Sequence, residues 1–151
     1  MWMITVPAIL VLGFASGWIS GSGNHNAWFA SLNKPWFMPP GWVFPVVWTT
    51  LYVLMGVALA KVIAADSPWR GAALALFGVQ LLLNLAWSPV FFGAHQVKAA
   101  LAIILLLDVA VVATILAFAR IAALPALLLL PYLAWLALAT ALNTSILRLN
   151  G

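Results

Sequence analysis

Long stretches in which nearly every residue is apolar, broken by short punctuation of Gly, Pro, Asn and charge, set the pattern of this chain. A helix needs about 20 predominantly apolar residues to cross the hydrocarbon core of a bilayer. Five stretches reach that length, at about residues 2–20, 42–64, 70–92, 97–119 and 124–147. Their runs of Leu, Ala and Val are continuous, whereas a transmembrane β-barrel shows segments of about 10 residues with alternating polarity. Residues 21–41 are polar and rich in Gly and Pro, and form the one long loop. The pattern predicts an all-α integral membrane protein, a five-transmembrane-helix bundle in a single membrane domain over residues 1–151, with no internal repeat.

Composition excludes the soluble alternatives. Eight Asp, Glu, Lys and Arg side chains make up 5% of the 151 residues, and 67% of positions are hydrophobic. A soluble domain is about a quarter charged, so lipid must be the solvent for most of the outside. The net charge of +4 comes from six scattered cations that form no basic stripe, which argues against nucleic acid. Cys is absent, which removes disulfides, thiol catalysis, Cys-ligated zinc and iron–sulfur clusters. The first apolar stretch has no Lys or Arg before it, so it reads as a retained span and not as a signal peptide.

Five spans place the termini on opposite sides. On the N-terminal side, side A, lie Lys61, Arg70 and Arg120; on the other, side B, lie Lys34, Lys98 and Arg148. Three against three gives the positive-inside rule nothing to decide orientation with. Gly13, Gly17 and Gly21 recur four apart on one face of the first span, and Gly71, Ala75 and Gly78 lie on the third. Small residues let helices approach closely, either within one chain or at a homodimer seam. Pro45, Pro89 and Pro131 fall inside spans, where each is expected to kink the helix or free a carbonyl.

Depth separates the nine Trp residues. Trp2, Trp18, Trp28, Trp42 and Trp69 stand where an interfacial aromatic belt would hold them. Trp48 lies six residues into the second span, roughly 9 Å below its start at 1.5 Å per residue. Trp87 and Asn84 lie in the side B half of the third span, Ala139 and Asn143 in that of the fifth, and Trp135 near the fifth span's middle. These residues can line one cavity opening toward side B beneath the long loop, with Lys34, Lys98 and Arg148 near its rim. Asn84 and Asn143 serve either as interhelical hydrogen-bond partners or as ligand contacts. Asp108, between Leu107 and Val109, is the one ionisable side chain well inside a span, where a carboxyl is costly and a functional candidate; the alternative is a bond to a neighbouring helix. No paired carboxylates, nucleophile with a His base, phosphate loop or metal-ligand cluster is present. His25 and His95 both fall in side B loops, so a flat tetrapyrrole would be held by stacking and not by iron ligation.

The run from Ser31 to Trp42 (SLNKPWFMPPGW), the run from Val43 to Tyr52 (VFPVVWTTLY) with Met55-Gly56, the run from Asn84 to Gly93 (NLAWSPVFFG), and Pro131-Tyr-Leu-Ala-Trp135 with Ala141-Leu-Asn143 stand in order along the chain. In these motifs the sequence resembles the TspO/translocator protein family, the tryptophan-rich sensory proteins also called peripheral-type benzodiazepine receptors, over nearly everything after residue 25. The resemblance implies a five-helix bundle, commonly a homodimer, that binds porphyrins such as protoporphyrin IX and, in mitochondrial members, cholesterol and benzodiazepine-type drugs. Carried over by motif, the ligand-binding positions are Trp48, Gln80, Asn84, Trp87, Trp135, Ala139 and Asn143. The lid and rim are Trp28, Lys34, Pro39, Pro40, Trp42 and Arg148. The family's C-terminal cholesterol segment is incomplete here: Leu142 and Arg148 are present, but Thr144 stands at the aromatic position, and even the full pattern is only a weak signal. The missing Cys and short C-terminus point to a bacterial member, in the bacterial cell envelope.

The leading expectation is therefore porphyrin binding for transport, sensing or disposal, with Trp48, Trp87 and Trp135 against the macrocycle, Asn84 and Asn143 orienting it, and rim cations meeting its propionates. No cofactor is required beyond the porphyrin ligand itself. A light-dependent porphyrin-degrading enzyme is the alternative that the resemblance brings; the residues offer no acid–base machinery for ordinary catalysis. A sterol transporter or an ion-coupled transporter centred on Asp108 is the third, although inverted repeats and discontinuous helices, usual in that class, are not recognisable.

Overall fold

The computed structural model describes residues 2–21 and 26–150. His25 lies outside the described residues. The elements are α1 (Trp2–Ser20), α2 (Ala27–Ser31), α3 (Val43–Ala64), α4 (Arg70–Ser88), a π-helical turn (Pro89–Gly93), α5 (Val97–Ala119), α6 (Ala123–Leu128) and α7 (Leu130–Asn150). Five stretches are long and apolar enough to cross a membrane: α1, α3, α4 with the π turn, α5, and α6 with α7. The fold class is the expected all-α membrane bundle.

Two features of the chain differ from the sequence expectation. The long loop contains α2, because Asn26 caps it: the Asn26 side-chain oxygen accepts the Phe29 N–H at 3.1 Å, satisfying one of the amides that a helix start leaves free. The fifth span is interrupted at Leu129, two residues before Pro131, whose ring and missing N–H disfavour an unbroken helix there.

The prolines act according to their place in the helix. Pro45 is the third residue of α3, in the first turn, where no intrahelical N–H is needed, so its missing N–H frees no carbonyl within that helix. Pro7, which the sequence reading passed over, sits inside α1. Pro89 opens the π turn. It has no N–H to donate to the carbonyl four residues back, and that carbonyl, of Leu85, accepts the Ser16 hydroxyl of α1 at 2.7 Å. A helix irregularity in α4 thus becomes an anchor for α1.

α1 packs along α3, α4 along α5, and α5 along α7, while α3 meets α6 at the side A end. Two glycines make the α1–α3 contact close. A Cβ on Gly13 would fall within the Tyr52 ring, and one on Gly56 would lie 2.6 Å from the Val6 Cα. The Thr5 hydroxyl spans the same seam, donating to the Gly56 carbonyl at 2.7 Å. By contrast, Gly71 and Gly78 face open space. Gly21 adopts φ +68° just after α1, the left-handed conformation that lets Gly end a helix.

Buried side chains form two groups with space between them. Met55, Val62, Phe77, Leu107, Val111 and Phe118 belong to the main core, where the Phe77 and Phe118 rings stack at 6.1 Å. Phe29, Phe91, Phe92 and Ile146 form a second cluster under the long loop. Overpacking a tight seam costs about 1–3 kcal/mol, so Gly56→Ala is expected to lower the thermal unfolding midpoint in detergent micelles. Gly71→Ala, with open space to fill, is expected to leave it unchanged or slightly raised.

Candidate ligand-binding site

A cavity of about 1230 Å³ lies between the main core and the Phe29–Phe91–Phe92 cluster, lined from all five spans. Drug-sized ligand pockets occupy about 300–1,000 Å³, so this one suits a large ligand. Of the seven residues that the motifs nominate, Trp48, Asn84, Trp87, Trp135, Ala139 and Asn143 line it together. Gln80 does not line it: it is 1% exposed and lies one helical turn beneath Asn84.

The cavity floor is a chain of hydrogen bonds joining three helices. The Tyr52 hydroxyl of α3 donates to Asn84 Oδ1 at 3.3 Å. Asn84 Nδ2 donates to the Tyr132 hydroxyl of α7 at 2.7 Å, and that hydroxyl donates to Gln80 Oε1 at 2.8 Å. Gln80 Nε2 lies 3.9 Å from Met55 Sδ. The i, i+4 spacing of Gln80 and Asn84 puts both amides on one face of α4, where Tyr132 reaches each. A second bridge lies nearer side B. Trp87 Nε1 donates to Asn143 Oδ1 at 2.9 Å, and Asn143 Nδ2 donates to the Val97 carbonyl at 3.1 Å. The amides of Asn84 and Asn143 each bridge to neighbouring helices, and both residues also line the cavity.

The walls are aromatic. Trp48 stacks on Tyr52 at 5.4 Å and meets Trp135 edge to face at 6.4 Å and 88°. Trp135 also meets Phe44 edge to face at 5.5 Å. Trp87 stacks on Phe91 at 4.9 Å. The π turn makes this arrangement possible by sending consecutive residues Phe91 and Phe92 both inward. Trp135 Nε1 and the Ser88 hydroxyl are buried with no hydrogen-bond partner among the described residues.

The roof is tied down at three points. Asn26 Nδ2 donates to the carbonyls of Gly21 at 2.9 Å and Phe92 at 3.3 Å, joining the end of α1, the start of α2 and the π turn. The Asn33 N–H donates to Asn150 Oδ1 at 2.9 Å, and Asn150 Nδ2 donates to the Asn33 carbonyl at 2.8 Å, so the last residue of α7 holds the loop by its backbone. Trp28 stacks on His95 at 4.3 Å and 6°. Trp28 is thus a roof residue, not only part of an interfacial belt. Sequence reasoning missed Asn26 and Asn150; the position of Asn26 just before Ala-Trp-Phe-Ala was a cap signal, whereas nothing local marks Asn150.

The remaining rim residues are dispersed. Trp42 lines the cavity, along with Met38 and Gly41, while Pro39, Pro40 and Arg148 do not. Lys34 is folded back on the end of α2, donating to the Leu32 carbonyl at 3.2 Å and sitting 4.8 Å from the Phe29 ring centroid. Phe29 itself lines the cavity, which keeps the Lys34 ammonium one ring away from it. Lys98 is exposed and lines no part of it. Asp108 also lies outside the cavity: its Oδ2 accepts the Thr140 hydroxyl at 2.6 Å, joining α5 to α7. Among the described residues no group of His, Asp and Glu could hold a metal ion.

Over residues 4–149 the chain matches the TspO/MBR family. It belongs to that family. The chain is 46% identical to the tryptophan-rich protein TspO of Chlorobaculum tepidum, over 97% of this chain and 94% of that one. It is 43% identical to the tryptophan-rich sensory protein of Cereibacter sphaeroides, over 83% and 78%, and 43% identical to the translocator protein of Homo sapiens, over 85% and 78%. Family membership and five apolar helices of spanning length make this TspO/MBR protein an integral, multi-pass membrane protein.

Tyr132→Phe removes the hydroxyl on which both Gln80 and Asn84 depend. Leaving buried polar groups unsatisfied costs about 1–3 kcal/mol, so this variant is expected to unfold at a lower temperature in micelles than the wild type. An unchanged midpoint would show that the floor network does not hold the three helices.

Proposed function

We propose that this protein binds tetrapyrroles of the protoporphyrin IX type within the membrane, in the cavity between Trp48, Trp87 and Trp135. The observation that carries the proposal is the combination of a roughly 1230 Å³ space with aromatic walls whose amide neighbours are already paired. Such a site offers ring faces and edges, which suit a large flat conjugated ligand, and few free polar groups that would demand a polar one. A porphyrin core lies against Trp48 and Trp135, and its propionates point toward side B, where Lys34 stands over the Phe29 ring that lines the cavity. Benzodiazepine-type drugs, being aromatic and mostly apolar, suit the same walls.

Binding is favoured over acid–base catalysis because, among the described residues, none that lines the cavity is Asp, Glu, Lys, Arg or His. The protein then serves porphyrin transport, sensing or disposal, as a homodimer in the bacterial cell envelope. Sterol is not included, since Thr144 replaces the aromatic residue of the cholesterol segment.

Protoporphyrin IX titrated into purified protein, with Trp fluorescence as readout, tests the proposal. Replacing both Trp48 and Trp135 by Ala is expected to weaken binding by at least about tenfold, which is 1.4 kcal/mol and modest for two aromatic walls. Equal affinity for the wild type and the double variant would overturn it.

A further inference from the structure

The helices close a ring around the cavity except at one place. α3 packs along α1 and α7 along α5, but α3 and α7 do not pack closely along one another; they meet through the rings of Phe44 and Trp48 against Tyr132 and Trp135, and through α6 at side A. Where they diverge, an outer groove of about 470 Å³ runs between Val46 and Thr50 of α3 and Ala134 and Leu138 of α7. On α3 it spans Val46 to Leu51, roughly 5–12 Å below the side B end at 1.5 Å per residue, which is hydrocarbon depth. Trp135 lines this groove and the inner cavity alike. This indole is thus the one residue common to the groove and the cavity among the described residues.

The Trp135 indole is held by packing. Trp87 has its Nε1 bonded to Asn143, but Trp135 Nε1 has no partner among the described residues, and the ring is held by apolar packing against the main core and by edge contacts with Phe44 and Trp48. No hydrogen bond must break for it to turn. The roof, in contrast, is fastened through Asn33 and Asn150, through Asn26 and through the Trp28–His95 stack. An apolar ring ligand partitions into lipid before it meets the protein, and the groove faces lipid.

We propose that the opening between α3 and α7 is a lateral portal, with Trp135 as its gate, through which a bilayer-dissolved tetrapyrrole passes between the membrane and the cavity. The inference rests on the tetrapyrrole reading of the cavity. The ligand slides along the groove, displaces the Trp135 ring and is then enclosed by it, while the roof stays shut.

The test uses the full chain in lipid nanodiscs and stopped-flow quenching of Trp fluorescence by protoporphyrin IX. Ala134→Trp and Val46→Trp fill the groove from either wall without lining the cavity. Each is expected to slow association and dissociation together by about tenfold while leaving the equilibrium constant unchanged, because an obstructed path alters rates and not end states. In a second protein Asn33→Cys and Asn150→Cys are joined by a short bis-maleimide, in a background with no other Cys. This locked roof is expected to keep the association rate within about twofold of wild type. Wild-type rates in both plugged variants, or slowing by the locked roof, would overturn the portal and leave the binding site standing. A plugged variant that folds, by circular dichroism, but no longer binds at equilibrium would also overturn it, since the groove would then be part of the site. Failure of the wild type to give saturable quenching would overturn the tetrapyrrole reading and the portal together.

Discussion

A polar side chain inside a bilayer has no water to fall back on, so it must find its partner in the protein. In this TspO/MBR protein that constraint fixes the relative positions of three helices. Gln80, Asn84, Tyr52 and Tyr132 each depend on another member of the set, and their mutual satisfaction holds α3, α4 and α7 at set distances. The main core fills the side A half, the roof cluster fills the mouth, and the space between is left because its walls are held apart by the Gln80–Tyr132 network below and the Trp87–Asn143 bridge nearer the roof. The cavity is a consequence of where the polar groups had to meet.

Backbone irregularities do the rest. Pro89 withholds an N–H, and the freed Leu85 carbonyl is taken by Ser16, so the residue that perturbs α4 also fastens α1. The π turn that follows turns Phe91 and Phe92 inward and supplies the surface on which Phe29 closes the roof. At the α1–α3 seam, the absence of a side chain at Gly13 leaves room for the Tyr52 ring, and its absence at Gly56 lets the α1 backbone approach at Val6.

Much of this is legible in the sequence because hydrophobic length and depth are local properties. Apolar runs gave the five spans, and counting residues down each span was enough to bring Trp48, Trp87, Trp135 and Ala139 toward one space. What depth cannot give is a partner. Asn84 and Asn143 offer no partner in the sequence, and only the structure shows that Tyr132, Trp87 and Val97 bond to their amides. Pro45 and Pro89 look alike in sequence, yet one stands in a first turn where its missing N–H has no effect. Asn150 closes the roof across 117 residues of chain, a relation with no local signature. Asp108 invited a functional reading by its isolation, and Thr140 on α7 supplies a bond that the isolation concealed.

On the proposed reading, the aromatic walls and Trp135 make a site that takes its ligand from the membrane and encloses it in rings. A structure of the protein in lipid nanodiscs with protoporphyrin IX bound is the most direct measurement. The account predicts the macrocycle inside the cavity, against Trp48 and Trp135, with the Tyr132 hydrogen bonds intact beneath it. A porphyrin lying on the outer, lipid-facing surface with the cavity empty would contradict it.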